Sequence, residues 1–218
     1  MSTNFDRRTM LSQFALGALA LGAASVSPAL AAPPRAFFKR IGKPIGLQLY
    51  TLGDIGRDLD ATFGRLAAIG YRDLELPGLL GHTAGDLRSA ADRAGIAISC
   101  IHLVTGKRVL PGSLLLTSSD QQLADILGTL GVRQAVMPMA VMPEAVSLQN
   151  GESPQRMIAR VIRESGSDVW KRTAAMLNER GAALRRFGVA LGYHNHNTEF
   201  APIGDTSGWQ ILVRETDP

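Results

Sequence analysis

A single cysteine, Cys100, is all the sulfhydryl chemistry this 218-residue chain owns, and it sits inside the apolar run "IAISCIHL". One cysteine excludes a disulfide framework within the chain, and its surroundings read as those of a buried, inert thiol. Charge of one sign never accumulates either. Lys and Arg number 23 against 19 Asp and Glu, and no basic run is longer than two residues. A nucleic-acid surface concentrates its cations, so no nucleic-acid partner is expected and the net charge of +4 reads as ordinary solvation. Neither a GxGxxG after the first strand-like run nor a P-loop occurs. That leaves a nucleotide-binding open sheet with little support. What the chain does hold is 45% hydrophobic residues, enough for a real core, in a length that suits one domain or one domain missing a part.

Residues 1–31 read as an export signal. Arg7 and Arg8 in "DRRTML" precede the apolar stretch "FALGALALGAA", and "SPALAA" offers Ala29-Leu30-Ala31 as a small-residue cleavage site. The paired arginines resemble the twin-arginine type, which exports proteins already folded. The apolar stretch is shorter than the ~20 residues of a spanning helix, so no stable membrane span is expected after cleavage. The mature chain is expected to start near Ala32, in the periplasm or outside the cell. Folding before export would let a metal be loaded in the cytoplasm. Residues 32–44, "APPRAFFKRIGKP", form a Pro-rich linker.

From residue 45 to 218 short apolar runs alternate with longer amphipathic ones. "IGLQLY" reads as a strand and "DLDATFGRLAAIG" as a helix with one apolar face, stopped by Gly70. "YRDLEL" alternates as a strand, "TAGDLRSAADRAG" reads as a helix ending at Gly95, and "IAISCIHL" as a buried strand. "SSDQQLADILGTLG" opens on a Ser/Asp cap, "VRQAVMPMA" returns to strand character, and a loop with a short helix leads into the long helix "VWKRTAAMLNERGAALRRFG". "VALGYHNH" is the fifth strand-like run. Five such alternations predict a parallel α/β fold, and a (β/α)8 barrel fits better than an open doubly wound sheet. Barrel active sites are assembled at the C-terminal ends of strands, where this chain places Gln48, Tyr50, Glu75, His102, His194 and His196. An open sheet also binds at those ends, so the pattern alone leaves both folds standing.

The stretches "IGLQLYTLGD", "LAAIGYRDLELPGLLGH", "LRSAADRAGIAISCIHL", "LGYHNHNTEF" and "ILVRETDP" together resemble the sugar phosphate isomerase/epimerase group of xylose-isomerase-like TIM barrels, whose superfamily includes AP endonuclease family 2 enzymes. They cover nearly everything from Ile45 to Pro218. Members of that group continue past the "ETDP" element into three more strands, which bring an aspartate, a histidine and a glutamate to a divalent metal. The resemblance therefore implies a barrel with about five of its eight strands, truncated at its C-terminal side. In the epimerase branch the fifth strand contributes a metal-binding glutamate about where His194 stands here. Related barrels often pair, which makes a homodimer an expectation.

Side chains two apart on a strand point the same way, so His194 and His196 are expected to face the interior together. Two imidazoles with Glu199 nearby make half of a site for manganese, zinc, cobalt, iron or magnesium; direct hydrogen bonding to sugar hydroxyls is the alternative. Glu75 should point inward with Asp73, as a general base with its pKa raised by burial, or as one half of a buried ion pair. His102 is either a substrate contact or a core histidine satisfied by a carbonyl, and His82 falls in the loop above the second strand. Glu75, Glu199 and His102 are the candidates for catalysis, Gln48, Tyr50, His82 and Asn197 for substrate contacts, and His194 and His196 for the metal. Trp209 and Phe200 are candidates for stacking on a sugar face. The resemblance implies a divalent-metal-dependent isomerase or epimerase of a small sugar or keto-sugar, in which a cation stabilises an enediolate while a carboxylate moves the proton. A dehydratase or lyase on the same substrates, and a catalytically silent carbohydrate-binding barrel, are the alternatives.

Overall fold

The structure is a computed structural model that describes residues 40–217, apart from 54, 56–57, 107–111 and 144–145. The export signal and most of the linker lie outside the described residues. The folded unit spans 44–218. Its elements follow the expected alternation: β1 (Gly46–Gln48), α1 (Leu59–Ile69), β2 (Asp73–Leu76), α2 (Ala84–Ala94), β3 (Ala97–Val104), β4 (Leu114–Leu115), α3 (Asp120–Leu130) and β5 (Gln134–Met137). Then come α4 (Pro154–Ser165), α5 (Ser167–Arg185), β6 (Ala190–Tyr193), a small hairpin of β7 (Pro202–Ile203) and β8 (Thr206–Ser207), and α6 (Gly208–Glu215).

Local chemistry sets the helix limits. Asp58 and Ser119 accept hydrogen bonds from the first-turn N–H groups of α1 and α3, and Thr83 with Asp86 forms a capping box on α2. Gly95 and Gly131 end α2 and α3 in the left-handed conformation, which a side chain would strain. The strands of the main sheet run parallel in the order β1-β2-β3-β5-β6, with β4 paired to the end of β3, while β7 and β8 pair antiparallel apart from it. Leu74, Leu76, Ile98, Ile101, Leu103, Ala135 and Met137 are buried in one core with Phe63, Leu66, Leu87, Leu123, Leu127 and Leu184 of the helices.

Three expectations are corrected. The first strand covers only residues 46–48, because the chain turns into a 3-10 helix over Leu49–Leu52 while the Gln48 side chain accepts the Tyr50 N–H. The strand expected over "VALGYHNH", β6, stops at Tyr193, so His194 and His196 follow it rather than sit on it. The sheet has six strands rather than five, since β4 is two residues long and too short to leave a periodic signature.

Among the described residues β1 and β6 are the two edges of this sheet, which does not close. Ala190 and His194 donate their N–H groups to Arg133 and Met137 of the β5 side. By alternation the backbone groups of Leu191 and Tyr193 face the open edge. A groove of about 650 Å³ runs there, lined by Leu177, Leu191, Tyr193, Trp209, Leu212 and Val213.

One contact fixes α6 against α5. A Cβ on Gly208 would lie 2.6 Å from both Cδ2 and Nε1 of the fully buried Trp170, so the indole occupies the space a side chain would need. Gly208→Ala should therefore destabilise the fold by about 1–3 kcal/mol through overpacking. Urea denaturation followed by tryptophan fluorescence would measure it, and an unchanged midpoint would contradict this packing.

Candidate active site

Glu75 reaches the site because of an irregularity in the sheet. Asp73 and Leu74 pair with Ala97 and Ile98, but Glu75 and Leu76 pair with Cys100 and Ile101, so β3 carries one extra residue, Ser99. Such a bulge inverts the side-chain phase of the strand beyond it. Cys100 and His102 are thereby turned to the face that carries Glu75. The registers Gln48 to Glu75, His102 to Val136 and Val136 to Gly192 bring Gln48, Val136 and Gly192 to that face too. Gly192 leaves room there, and His194 follows two residues later.

The result is a compact cluster at the C-terminal ends of three strands. His102 Nε2 lies 2.8 Å from Glu75 Oε1, and His194 Nδ1 lies 3.4 Å from His102 Nε2 and 4.0 Å from Glu75 Oε1. The His102 side chain is 8% exposed, against 31% for Glu75 and 36% for His194, so the cluster has a closed floor and an open top. Gln48 Nε2 stands 3.5 Å from His102 Nε2. Since Gln48 Oε1 already accepts the Tyr50 N–H at 2.6 Å, the amide presents N–H donors to the site rather than its oxygen.

The carboxyl of Glu75 is held below its ordinary 4.5, and the first cause is the hydrogen bond from His102. Burial pushes the other way but is outweighed by that bond together with the two imidazoles and the Cys100 thiol. This corrects the expectation that burial raises Glu75. His194 is pushed below its ordinary 6.5, chiefly by desolvation and then by its histidine neighbours. The Cys100 thiol is pushed up to about 12 by burial and by the adjacent Glu75, which fits the inert thiol of the sequence reading.

A carboxylate and two imidazoles whose ligand atoms all lie within 4.8 Å of one another suit a divalent ion of the zinc, manganese, iron or cobalt type. Magnesium fits this nitrogen-rich set less well, because it favours oxygen ligands.

The remaining candidates lie elsewhere. His196, expected beside His194 as a ligand, is outside the ligand cluster; it is exposed, with its ring stacked on that of His194 at 4.9 Å between centroids. The reason is that the strand has already ended, so the period-two rule no longer applies at these positions. Glu199 is 2% exposed, and its oxygens accept hydrogen bonds from Tyr193 Oη (2.6 Å), the His196 N–H (2.9 Å) and Thr198 Oγ1 (3.1 Å). It braces the loop that carries both histidines. Tyr50 is 63% exposed and touches the site through its backbone. His82 lines a separate surface recess with Asp58, Asp60 and Asp86, while Asn197 is exposed at the start of a 3-10 turn. Phe200 and Trp209 pack against each other with ring centroids 5.6 Å apart and planes tilted by 35°. Cys100 is the site residue the sequence reading assigned only to the core; nothing in an unbroken apolar run marks a bulge.

A sugar phosphate isomerase/epimerase from Parabacteroides distasonis is similar to this chain at 25% identity, covering 81% of this chain and 65% of its own, with a TM-score of 0.57. An L-ribulose 3-epimerase is similar at 18% identity over 68% of this chain and 48% of its own, TM-score 0.42. A xylose isomerase domain protein from Planctomyces limnophilus is similar at 15% identity over 80% and 70%, TM-score 0.39. The chain spans less than two thirds of the length of the first two. No family model and no curated protein matches it. The fold is an α/β one of the xylose-isomerase-like barrel type, incomplete over the described residues.

Two outcomes test this geometry. Folded-state lowering of both Glu75 and His194 means that the unfolded chain binds more protons on acidification. In metal-free protein, stability should fall as pH drops below the ordinary 6.5 of His194, and again below the ordinary 4.5 of Glu75, in urea midpoints recorded across that range. Glu75→Gln should diminish the second step, leaving the share carried by Asp86 and Glu152, whose carboxyls are also held down by their hydrogen bonds; a pH-independent midpoint would contradict the cluster. Tyr193→Phe should cost about 1–3 kcal/mol, because it leaves one oxygen of the buried Glu199 carboxylate without its donor. Thermal melts of the two proteins at neutral pH would show it.

Proposed function

We propose that this chain carries part of the active site of a divalent-metal-dependent isomerase or epimerase acting on a small sugar or keto-sugar, exported from the cytoplasm after folding. The observation that carries the reading is the convergence of Glu75, His102 and His194 from three strands on one open-topped point. The likeness to the Parabacteroides distasonis sugar phosphate isomerase/epimerase supports the substrate class.

Glu75, His102 and His194 would hold the ion, which supplies electrophilic stabilisation of a developing oxyanion beside a carbonyl. The chain's own residues do the rest. Gln48 turns its amide N–H groups toward the cluster and hydrogen-bonds a substrate oxygen. Glu75, kept ionised by His102, compensates the cation's charge and is a weaker proton acceptor than a buried carboxylate would be. His196, exposed beside His194, is free of the ligand role and placed to exchange a proton with the substrate. Glu199, buried and fully engaged, fixes the loop rather than meeting substrate.

Metal analysis of the purified chain by mass spectrometry should find about one divalent ion per chain. Glu75→Gln, His102→Ala and His194→Ala should each lose it, whereas His196→Ala keeps it. Incorporation of deuterium from solvent next to the carbonyl of a ketose, followed by NMR, should depend on that ion; appearance of an unsaturated product instead would assign a lyase. Protein that binds no ion, or binds it equally well without His194, would sink the reading.

A further inference from the structure

Beside the cluster lies a cavity that no step of the proposed reaction uses. Its volume is about 170 Å³, and its walls come from the loop after β5, from α4 and from the loop after β6. Met139, Ala140, Met142, Ile158 and Ile162 give it an apolar side, Gln155, Asn197, Thr198 and the hydrogen-bonded Glu199 complete its lining, and His196 forms the wall toward the cluster, since its ring stacks on His194. The wall is anchored on both sides. The Val141 N–H donates to Thr173 Oγ1, which in turn donates to the Val169 carbonyl inside α5. The Glu199 carboxylate holds the His196 N–H on the opposite side.

A free monosaccharide gains little from the methionine and isoleucine side of this cavity, because each of its carbons carries an oxygen whose hydration would be lost there. The size and chemistry specify another occupant. An apolar protein cavity of about 150 Å³ accepts one benzene ring. Methionine side chains adapt to a flat ring and make favourable sulfur contacts with it. We infer that the substrate is a sugar bearing an apolar substituent of single-ring size, which enters this cavity while the sugar meets Glu75, His102 and His194. The inference rests on the reading of that cluster as a sugar site, and it makes Met142, Ile158 and Ala140 determinants of specificity. His196 is the divider between the two halves of the ligand.

Calorimetric titration of the metal-loaded protein with phenyl and methyl glycosides of glucose, galactose and xylose tests this. For the sugar that binds, the phenyl glycoside should bind about tenfold to a hundredfold more tightly than the methyl one, as burial of one ring predicts. Ala140→Leu, which fills the cavity, should bring that ratio close to one, with the retained metal content reporting that the cluster is still folded. Ile158→Asn should lower the ratio in the same direction, so the result does not depend on one variant folding. A ratio near one in the unaltered protein, with the methyl glycoside bound, would overturn this inference and leave the sugar site standing. So would a ratio that both folded variants preserve. Binding of benzyl alcohol with no glycoside binding would overturn the sugar reading of the cluster, and this inference with it.

Discussion

One extra residue in one strand organises the site. Because β3 accommodates Ser99 as a bulge against β2, the strand arrives at its C-terminal end out of phase with its beginning. Without that shift His102 would point at the helices, where an imidazole would displace apolar contacts, and Glu75 would face the open side with no partner. With it, the imidazole meets the carboxylate at 2.8 Å and sets its ionisation. The same face then accepts His194 across Val136 and Gly192, positions small enough to leave the space above the cluster clear.

Support for the site is divided between layers. The floor is β-sheet, rigid and buried, and it carries Glu75, Cys100 and His102. The wall is a loop, and its rigidity depends on the Glu199 carboxylate, which gathers a phenol, a backbone N–H and a hydroxyl. A loop fixed in this way can present one histidine downward to the cluster and the next one sideways to the apolar cavity. The cluster and the apolar cavity thus share one loop, on which His194 and His196 are separated only by Asn195.

Much of the fold was legible because the helices are amphipathic, capped by Asp58, Thr83 and Ser119, and closed by glycines, and because the strands between them are apolar runs of useful length. Glu75 was readable as an inward residue from the alternation of "YRDLEL". The pairing of His102 with it was not, since "IAISCIHL" contains no polar alternation from which a phase or a bulge could be inferred. His194 and His196 looked equivalent under a period of two, and they diverge because the ladder ends at Tyr193. The role of Glu199 was hidden for a different reason: a carboxylate in a polar loop gives no hint that it will be 2% exposed.

The outer edge of β6 has a bearing on how the molecule behaves in the tube. Leu191 and Tyr193 offer their backbone groups along that edge, next to a groove lined with Leu, Val and Trp side chains. A strand left in this state is a template for any extended segment that meets it, including one from a neighbouring molecule. Among the described residues that edge, like the one at β1, is thus a place where the sheet can be extended by backbone pairing alone, whatever segment supplies the next strand.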